Sequence, residues 1–375
     1  MQSLISSEGE IWEQQRRYVL KQLRDFGFGK SSMESVIIEE VNDLSRRLVA
    51  FNSEPVEGIK NKLSLAVVNS LWNIVAGTRY NQDNPKLRQI AYQVTGAFEE
   101  AAKSSGLLAT VKWIKYVMPE LSGYNAVRRA MNDIVEFVSE TIKQHQATYQ
   151  EDSPRDFIDA YLAEIKSTTD PQSSFYGKAA GIDTTSTTLD WAILYLAKQP
   201  EILKKLQKEI DEITGNARQV SFSDRPKMPY TLAVINELLR ISIVPFGAPH
   251  RVIFDTEFKG VFFPKDTFIF INMHYMHHDP KLWEDPDSFR PERFLSMDEK
   301  TVLKIEYLNP FLIGRRQCPG ESLAKDTVFL FLTNLVQRFD IMKDPSSPEP
   351  TTEPAIQFTI TTQPYKVIFN ERNLV

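Results

Sequence analysis

Apolar residues recur every three or four positions through the first 200 residues, with polar residues between them. This period is typical of helices that bury one face. Only five of the 21 prolines lie before residue 200, which agrees with long uninterrupted helices. The pattern predicts helices over residues 8–25, 32–52, 61–78, 84–103, 123–149, 154–167 and 178–198.

The pattern changes after residue 200, where prolines and short β-branched or aromatic runs become frequent. It predicts helices over 200–214, 229–241 and 320–338, strands near 249–262 and 266–271, and a terminal hairpin formed by 356–361 and 364–370. The fold class expected is mainly α with minor β. No internal repeat is found, and the length suits one large core or two ordinary ones, with a helical part (1–200) and a mixed part (201–375).

The composition is that of an ordinary soluble chain, with 42% apolar and 25% charged residues. A net charge of -5 gives no bulk attraction for nucleic acid, so no nucleic-acid partner is expected. No apolar run approaches the roughly 18 residues of a membrane span, and the first residues do not resemble a secretory signal. The single cysteine excludes an internal disulfide and favours a reducing compartment.

That cysteine, Cys318, lies directly before Pro319 and the predicted helix 320–338. Proline suits the first position of a helix, and the free amides and dipole of the first turn favour a thiolate over a thiol. Arg316 adds a positive charge two residues away, and Gly314 and Gly320 allow close approach of the backbone. The sequence therefore predicts an anionic sulfur presented from a tight loop.

Taken alone, a single cysteine is more often a buried structural residue. A cysteine hydrolase is another alternative for Cys318, but no histidine lies near it in sequence and no protease or transferase signature surrounds it. The wider context favours a third interpretation.

The segment contains Phe311, Gly314, Arg316, Cys318 and Gly320 in the order F-x-x-G-x-R-x-C-x-G. It resembles the haem-ligand signature of the cytochrome P450 family at every fixed position. In such haem-thiolate enzymes the cysteine is the axial ligand of the iron and favours O–O cleavage. The resemblance thus implies haem b (iron protoporphyrin IX) as cofactor, Cys318 as metal ligand, and the other four residues as cofactor-binding.

A second motif places Glu237 and Arg240 at i and i+3 of a predicted helix. Alone, such a pair is usually a solvated surface pair. Arg293, in the segment F-R-P-E-R-F, follows about fifty residues later and resembles the arginine that completes a Glu-Arg-Arg cluster in the family. The resemblance implies that these three residues have a structural role in folding and haem retention.

Trp12 and Arg16 lie one helical turn apart, in the order W-x-x-x-R. This pair resembles the family helix that meets a haem propionate, and arginine suits a carboxylate because its donors form a fork. The resemblance implies the same cofactor-binding role for His250 and Arg316. The spacing of three other histidines suggests a metal cluster, but we expect surface or packing roles for His274, His277 and His278.

Residues 180–185 match the distal motif A-G-x-D-T-T of the family. The resemblance implies that Asp183 and Thr184 are catalytic residues that relay protons to iron-bound dioxygen. Only three residues separate Gly177 from Gly181, where the family has the first half of its long central helix. The predicted helix 178–198 is about 30 Å long, with the acid and alcohol in its first turn.

The resemblance covers essentially the whole chain and is greatest to the animal microsomal branch. It implies a single cytochrome P450-like domain over 1–375. It implies a monooxygenase that inserts one oxygen atom from O2 into an apolar organic substrate, such as a steroid, a fatty acid or a foreign compound. The electrons would come from NADPH through NADPH-cytochrome P450 reductase. The expected location is the cytosolic face of the endoplasmic reticulum membrane, with peripheral membrane contact, and no anchor segment is present in this chain.

Two further expectations follow from the resemblance. Segments that contact substrate in the family correspond to 244–247, 84–149 and 356–361, and Lys21, Arg24, Arg315 and Lys325 could form a basic face for an acidic reductase. The chain also resembles an N-terminally truncated member that lacks part of its central helix. The alternative to the monooxygenase is therefore a non-catalytic truncated or splice-variant fragment with impaired haem retention.

Overall fold

The computed structural model of the protein describes most of the chain, as ranges separated by gaps. These ranges are residues 8–26, 31–85, 88–89, 91, 117–118, 120, 124–149, 154–167, 184–215, 217–244, 247–356 and 360–372. Most of the predicted helix 84–103 and residues 178–183 of the central helix lie outside them. Among the described residues, no helix has the length and apolar character needed to cross a membrane.

The helices follow the predicted order, which confirms the mainly α class. They are α1 (Gly9–Asp25), α2 (Ser31–Val49), α3 (Ile59–Ala76), α4 (Tyr124–Thr148), α5 (Phe157–Ser167), α6 (Thr184–Lys198), α7 (Pro200–Thr214), α8 (Pro229–Ile241), α9 (Met273–His278) and α10 (Glu321–Arg338). Helices α7 and α8 have the predicted bounds because each has proline at its first position, which needs no amide partner. Helix α2 ends before the predicted residue 52, since Asn52 and Ser53 have positive φ angles.

The short helix α9 was not predicted. It begins where the side chain of Asn272 accepts a hydrogen bond from the Tyr275 amide, at 2.9 Å. An asparagine in this position caps a helix by satisfying one of its free amides.

The strands are short: β1 (Val56–Glu57), β2 (Gly247–Arg251), β3 (Thr256–Phe258), β4 (Val261–Phe263), β5 (Phe268–Asn272), β6 (Phe339–Lys343), β7 (Ala355–Ile356), β8 (Ile360–Thr361) and β9 (Lys366–Glu371). The single run predicted near 249–262 is wrong, because it contains three strands. Lys259 and Gly260 both have positive φ, and this turn pairs β3 with β4.

The predicted terminal hairpin is also wrong. Strand β7 pairs with β8, whereas β9 pairs with β6 and β1 in an antiparallel sheet of three strands. Strand β6 offers β9 five paired positions, which is a longer ladder than β8 could supply.

The two long helices at the centre, α6 and α10, are buried along most of their length. One continuous cluster of buried side chains joins them to α2, α3, α7, α8, β6 and β9. The core therefore combines residues of the helical part with residues of the mixed part. Cys318 lies three residues before the first residue of α10, so the buried helix fixes its position.

Candidate haem-binding site

The chain around Cys318 forms a closed loop. The amide of Cys318 donates a hydrogen bond to the carbonyl of Phe311, at 2.9 Å, and the amide of Gln317 donates to the carbonyl of Gly314, at 3.1 Å. Gly314 has φ +77°, a left-handed conformation that glycine adopts without a Cβ clash. These bonds turn the chain back on itself and place the cysteine at the start of α10. We call residues Asn309 to Cys318 the cysteine loop.

The thiol of Cys318 is exposed on one side and desolvated by protein atoms on the other. Desolvation raises its pKa above the usual value; the Gly320 amide and the charge of Arg16 lower it by less, and Glu321 raises it further. The prediction that this position favours a thiolate in the chain alone is therefore wrong. Arg316 was predicted to lower the pKa of Cys318, but it is not among the causes of the pKa shift. Its side chain lies against Trp12 instead.

Two guanidinium groups lie by the indole of Trp12. The Cζ of Arg316 is 3.9 Å from the ring centroid and that of Arg16 is 5.6 Å away, while Trp12 is only 6% exposed. Both distances are within the range of a cation–π contact. We call Trp12, Arg16 and Arg316 the tryptophan cluster; the structure brings together residues that are about 300 positions apart.

The tryptophan cluster places two positive charges at partly desolvated positions. Desolvation lowers the pKa of both guanidiniums, and the charge of Arg16 lowers that of Arg316 further, while Glu8 raises it. The side chain of Arg16 forms no hydrogen bond or ion pair with any residue that the structure describes. An anion placed beside it would stabilise its charged form.

Arg16 and Cys318 border the same cavity, of about 450 Å³. It is lined by Arg16, Leu20, Arg225, Gln317, Cys318, Glu321, Ser322, Lys325 and Asp326. A soft sulfur ligand therefore lies on the same cavity as the Arg16 guanidinium, which has no carboxylate partner among the described residues. This donor set fits a cofactor with a thiolate-binding metal and acidic side chains, as haem has.

His250 lies in β2, opposite Ile269 of β5. Its neighbour Arg251 forms an ion pair with Glu8, at the start of α1. The negative charge of Glu8 also acts to raise the pKa of Arg316. The ion pair thus fixes β2 against the end of α1 that contains Trp12. The side chain of His250 is half-buried.

Glu237, Arg240 and Arg293 form a second, buried group of charges. Nε and a terminal nitrogen of Arg240 donate to the two carboxylate oxygens of Glu237, at 2.7 and 2.8 Å, and Arg293 Nε donates to the same carboxylate, at 3.1 Å. Glu237 and Arg240 are fully buried. We call these three residues the buried arginine cluster.

The remaining donors of this cluster bind backbone carbonyls of the proline-rich coil. Arg240 donates to the carbonyls of His277 and Pro286, both at 2.8 Å, and Arg293 donates to that of Glu284, at 2.7 Å. Arg240 also lies over the ring of Trp283, at 5.2 Å. The cluster thus joins α8 to the coil that leads toward the cysteine loop.

His277 is a residue whose contacts the sequence did not reveal. Its ring is fully buried, and its Nε2 accepts the amide of Asn309, at 3.1 Å, across 32 residues. The packing role expected for it describes only part of this arrangement.

The distal residues are less well defined. Asp183 lies outside the described residues, and Thr184, the first described residue of α6, is exposed. Thr184 is not among the residues that line the cavity at Cys318, and the role of Asp183 stays a prediction.

The predicted basic face is partly neutralised. Arg315 pairs with Glu13, at 2.5 Å, and Lys325 pairs with Glu321, at 2.7 Å. Lys21 and Arg24 are exposed on α1, and neither forms an ion pair with a described residue. The positive charge available to a partner is therefore on α1.

A second group of metal-binding residue types is present in His145, Asp156 and Asp159, whose ligand atoms lie within 4.8 Å of one another. Arg155 already pairs with Asp159, at 2.5 Å, and the Nδ1 of His145 bonds to the Thr141 carbonyl, at 2.9 Å. These contacts make the group a structural junction between α4 and α5.

Comparison with known proteins supports one family over nearly the whole chain. The model of the family "Cytochrome P450" matches residues 1–369. A farnesoate epoxidase of Bombyx mori is 34% identical over 378 residues, which cover 98% of this chain and 76% of that protein. Cytochrome P450 2J2 of Homo sapiens is 39% identical over 351 residues, which cover 90% of this chain and 68% of that protein. Cytochrome P450 2L1 of Panulirus argus is 33% identical over 389 aligned positions, which cover 98% of this chain and 78% of that protein.

These similarities extend through the helical part, the coil and the cysteine loop. Members of the family are haem-thiolate monooxygenases that need a redox partner and an organic substrate. By its sequence and by its mainly helical fold, the chain is a monooxygenase and belongs to the cytochrome P450 family.

Proposed function

We propose that this monooxygenase binds haem b between Cys318 and the tryptophan cluster, and inserts one oxygen atom into an apolar organic substrate. The observation that carries the proposal is the placement of Arg16, partly desolvated and without a carboxylate partner among the described residues, on the same cavity as Cys318. Arg16, Arg316, Trp12 and His250 would hold the haem propionates. Bound haem supplies the activation of dioxygen and the oxidising equivalent.

Contacts within the chain set the orientation and the charge of the Cys318 sulfur. The Phe311–Cys318 hydrogen bond orients the sulfur, and the Gly320 amide stabilises negative charge on it. The charge of Arg16 acts in the same direction. Because desolvation keeps the free thiol protonated, we expect cysteine deprotonation to accompany metal binding and not to precede it.

The substrate side is proposed to be apolar. The Ile360 amide of β8 donates to the Val244 carbonyl, at 2.9 Å, which joins two of the three segments expected to contact substrate. Both side chains are buried. The relative from Bombyx mori is a farnesoate epoxidase, and epoxidation is one form of single oxygen insertion. A steroid, a fatty acid or a foreign compound remain the classes that we propose for this chain.

NADPH, through NADPH-cytochrome P450 reductase, is the proposed electron source. Lys21 and Arg24 on α1 are the exposed cations that an acidic partner would meet near the cysteine loop. We propose that this encounter takes place at the cytosolic face of the endoplasmic reticulum membrane, with peripheral membrane contact.

One observation favours the alternative, a truncated or splice-variant haem-binding fragment that does not oxidise an organic substrate. Thr184 is exposed, so within the described residues the predicted proton-relay alcohol is not in a site that excludes water. Proton delivery from bulk water would release peroxide in place of product.

The two functions differ in the fate of the electrons. With reductase, NADPH and a panel of apolar substrates, product formation that accounts for most of the NADPH consumed would establish the monooxygenase activity. NADPH consumption that yields peroxide and no product from any substrate would establish the alternative. A chain that takes up no haem would contradict both functions.

A further inference from the structure

Two consecutive histidines end α9 and have the same backbone contact. The Nδ1 of His277 bonds to the Met273 carbonyl, at 2.8 Å, and the Nδ1 of His278 bonds to the His274 carbonyl, at 3.0 Å. A carbonyl can only accept, so each Nδ1 carries the proton. In the neutral ring the other nitrogen, Nε2, is then an acceptor.

Only one of the two Nε2 atoms reaches the cysteine loop. His277 Nε2 accepts the Asn309 amide, at 3.1 Å, whereas His278 Nε2 has no hydrogen bond to a described residue and its ring stacks on His274, with centroids 4.0 Å apart. The chain thus contains its own matched control. His277 and His278 share a helix end and a backbone contact, and they differ in the bond to Asn309.

Asn309 begins the cysteine loop. Its carbonyl accepts the Leu312 amide, at 3.2 Å, and the next turn of the loop is closed by the Phe311–Cys318 bond. A cavity of about 80 Å³ separates this part of the loop from α8, and Asn309 and Phe311 are among its lining residues. Since packing against α8 is incomplete here, a directional bond is needed to fix the loop.

The other side of His277 belongs to the buried arginine cluster. Arg240 donates to the backbone carbonyl of His277, at 2.8 Å, so the residue has one contact with the cluster and one with the loop. The ring stays a neutral acceptor, because burial lowers its pKa to about 4 and Arg240 adds to the effect. A protonated ring would turn a donor toward the Asn309 amide.

We propose that His277 is a positioning residue of the cysteine loop: through the bond between Nε2 and the Asn309 amide, it transmits the fixed geometry of the buried arginine cluster to the segment that presents Cys318. This inference rests on the proposed function, in which Cys318 is the haem ligand. It makes His277 a residue that acts through the loop and has no contact with substrate or cofactor.

The test compares His277→Leu, His277→Asn and His277→Gln with His278→Leu. Glutamine can place an acceptor oxygen near the position of Nε2, whereas asparagine can replace only Nδ1 and leucine neither. The first readout is hydrogen exchange of the peptide that contains Asn309. We expect at least tenfold faster exchange in the leucine and asparagine variants, and a rate close to wild type in His277→Gln and His278→Leu.

The second readout is the carbon monoxide spectrum of the reduced, haem-loaded protein, which distinguishes thiolate from neutral-thiol ligation. We expect the fraction with the thiolate band to fall severalfold in His277→Leu and His277→Asn only. Equal exchange rates and equal band fractions in His277→Leu and His278→Leu would overturn the inference. If wild type itself has no thiolate band, the proposed function fails, and the exchange comparison alone decides whether His277 fixes the loop.

Discussion

The buried arginine cluster and the tryptophan cluster both contain two arginines, but they differ in how the charges are compensated. In the first, Glu237 accepts from both arginines, and the remaining donors bind carbonyls of the coil. In the second, Arg16 has no ion pair with a described residue, and desolvation lowers the pKa of both guanidiniums. The charges of the first are paired within the described residues, whereas Arg16 of the second has no carboxylate partner among them.

This difference separates a structural role from a binding role. A satisfied buried network stabilises the fold whether or not a ligand is bound, and removing one partner leaves a buried charge alone. A cation such as Arg16, which has no carboxylate partner among the described residues, is stabilised when an anionic ligand binds. Changes in the two clusters should therefore affect different measurements.

The largest effect is expected from Arg240→Ala. It leaves the carboxylate of Glu237, which is fully buried, with only Arg293 as its charged partner. The free energy of unfolding, measured by urea titration, should fall by about 3–5 kcal/mol, and haem retention should fall with it. Lys208→Ala, in an exposed pair with Glu212, is the control and should change stability by less than about 0.5 kcal/mol. A normal stability of Arg240→Ala would show that the cluster is not structural.

The second largest effect is expected from acid, which should destabilise the region around the buried arginine cluster. The pKa of His277 is lowered to about 4, first by burial, so the unfolded chain binds a proton between pH 6.5 and 4 that the folded chain does not bind. The stability that depends on the neutral ring is fully present above pH 6.5 and is lost as the pH falls toward 4. We expect this residue to account for a loss of about 2–3 kcal/mol over that interval.

Urea titrations at several pH values measure this loss. His277→Gln has no titrating ring at the position, so its stability should fall less steeply between pH 6.5 and 4 than that of wild type. Parallel curves for the two proteins would show that His277 titrates normally.

Arg16→Ala should weaken haem binding without lowering the stability of the haem-free protein, in contrast to Arg240→Ala, which should lower the stability. Removing one charge-assisted partner of a propionate should weaken haem binding by about 10- to 100-fold, or about 1.4–2.8 kcal/mol. The stability of the haem-free protein should be unchanged or slightly raised, because a desolvated cation beside Arg316 is removed. Haem titration of the variant and of Arg24→Ala, an exposed control on the same helix, measures the effect. Equal haem affinities in both variants would show that the tryptophan cluster does not contribute to haem binding.

The smallest effect concerns the loop between the clusters. Gly314→Ala forces a Cβ into a left-handed conformation at φ +77°, and should destabilise the protein by about 1–2 kcal/mol. Gly320→Ala is the matched change, since φ is -93° and the added Cβ would lie at an ordinary contact distance of 3.8 Å from Cys318 Sγ. Thermal unfolding of the two variants should differ, and equal melting temperatures would contradict the conformational argument.

The sequence predicted the elements better than their contacts. Prolines at residues 200 and 229 mark the starts of α7 and α8 because proline has no amide to satisfy. The pairing of β9 with β6 was missed, since a short apolar run does not specify its partner. The fold class followed from helical periodicity, which is a local property of the sequence.

At the site, residue types could be named but their electrostatics could not. Cys318, Arg16 and Arg316 were predicted from motifs, yet the direction of the Cys318 pKa was predicted wrongly because desolvation depends on the folded surroundings. The bond from Asn309 to His277 crosses 32 residues and has no local signal. Asp183, whose role rests on a motif alone, stays a prediction.

The reduced, carbon monoxide-bound spectrum of the haem-loaded chain tests the central claim most directly, in wild type and in Cys318→Ser. A sulfur ligand of the iron gives a red-shifted Soret band, and a serine hydroxyl does not. We expect the band in wild type and its complete loss in Cys318→Ser, with helix content unchanged. The same band in both proteins, or a wild-type spectrum without it, would contradict the assignment of Cys318 as the haem ligand.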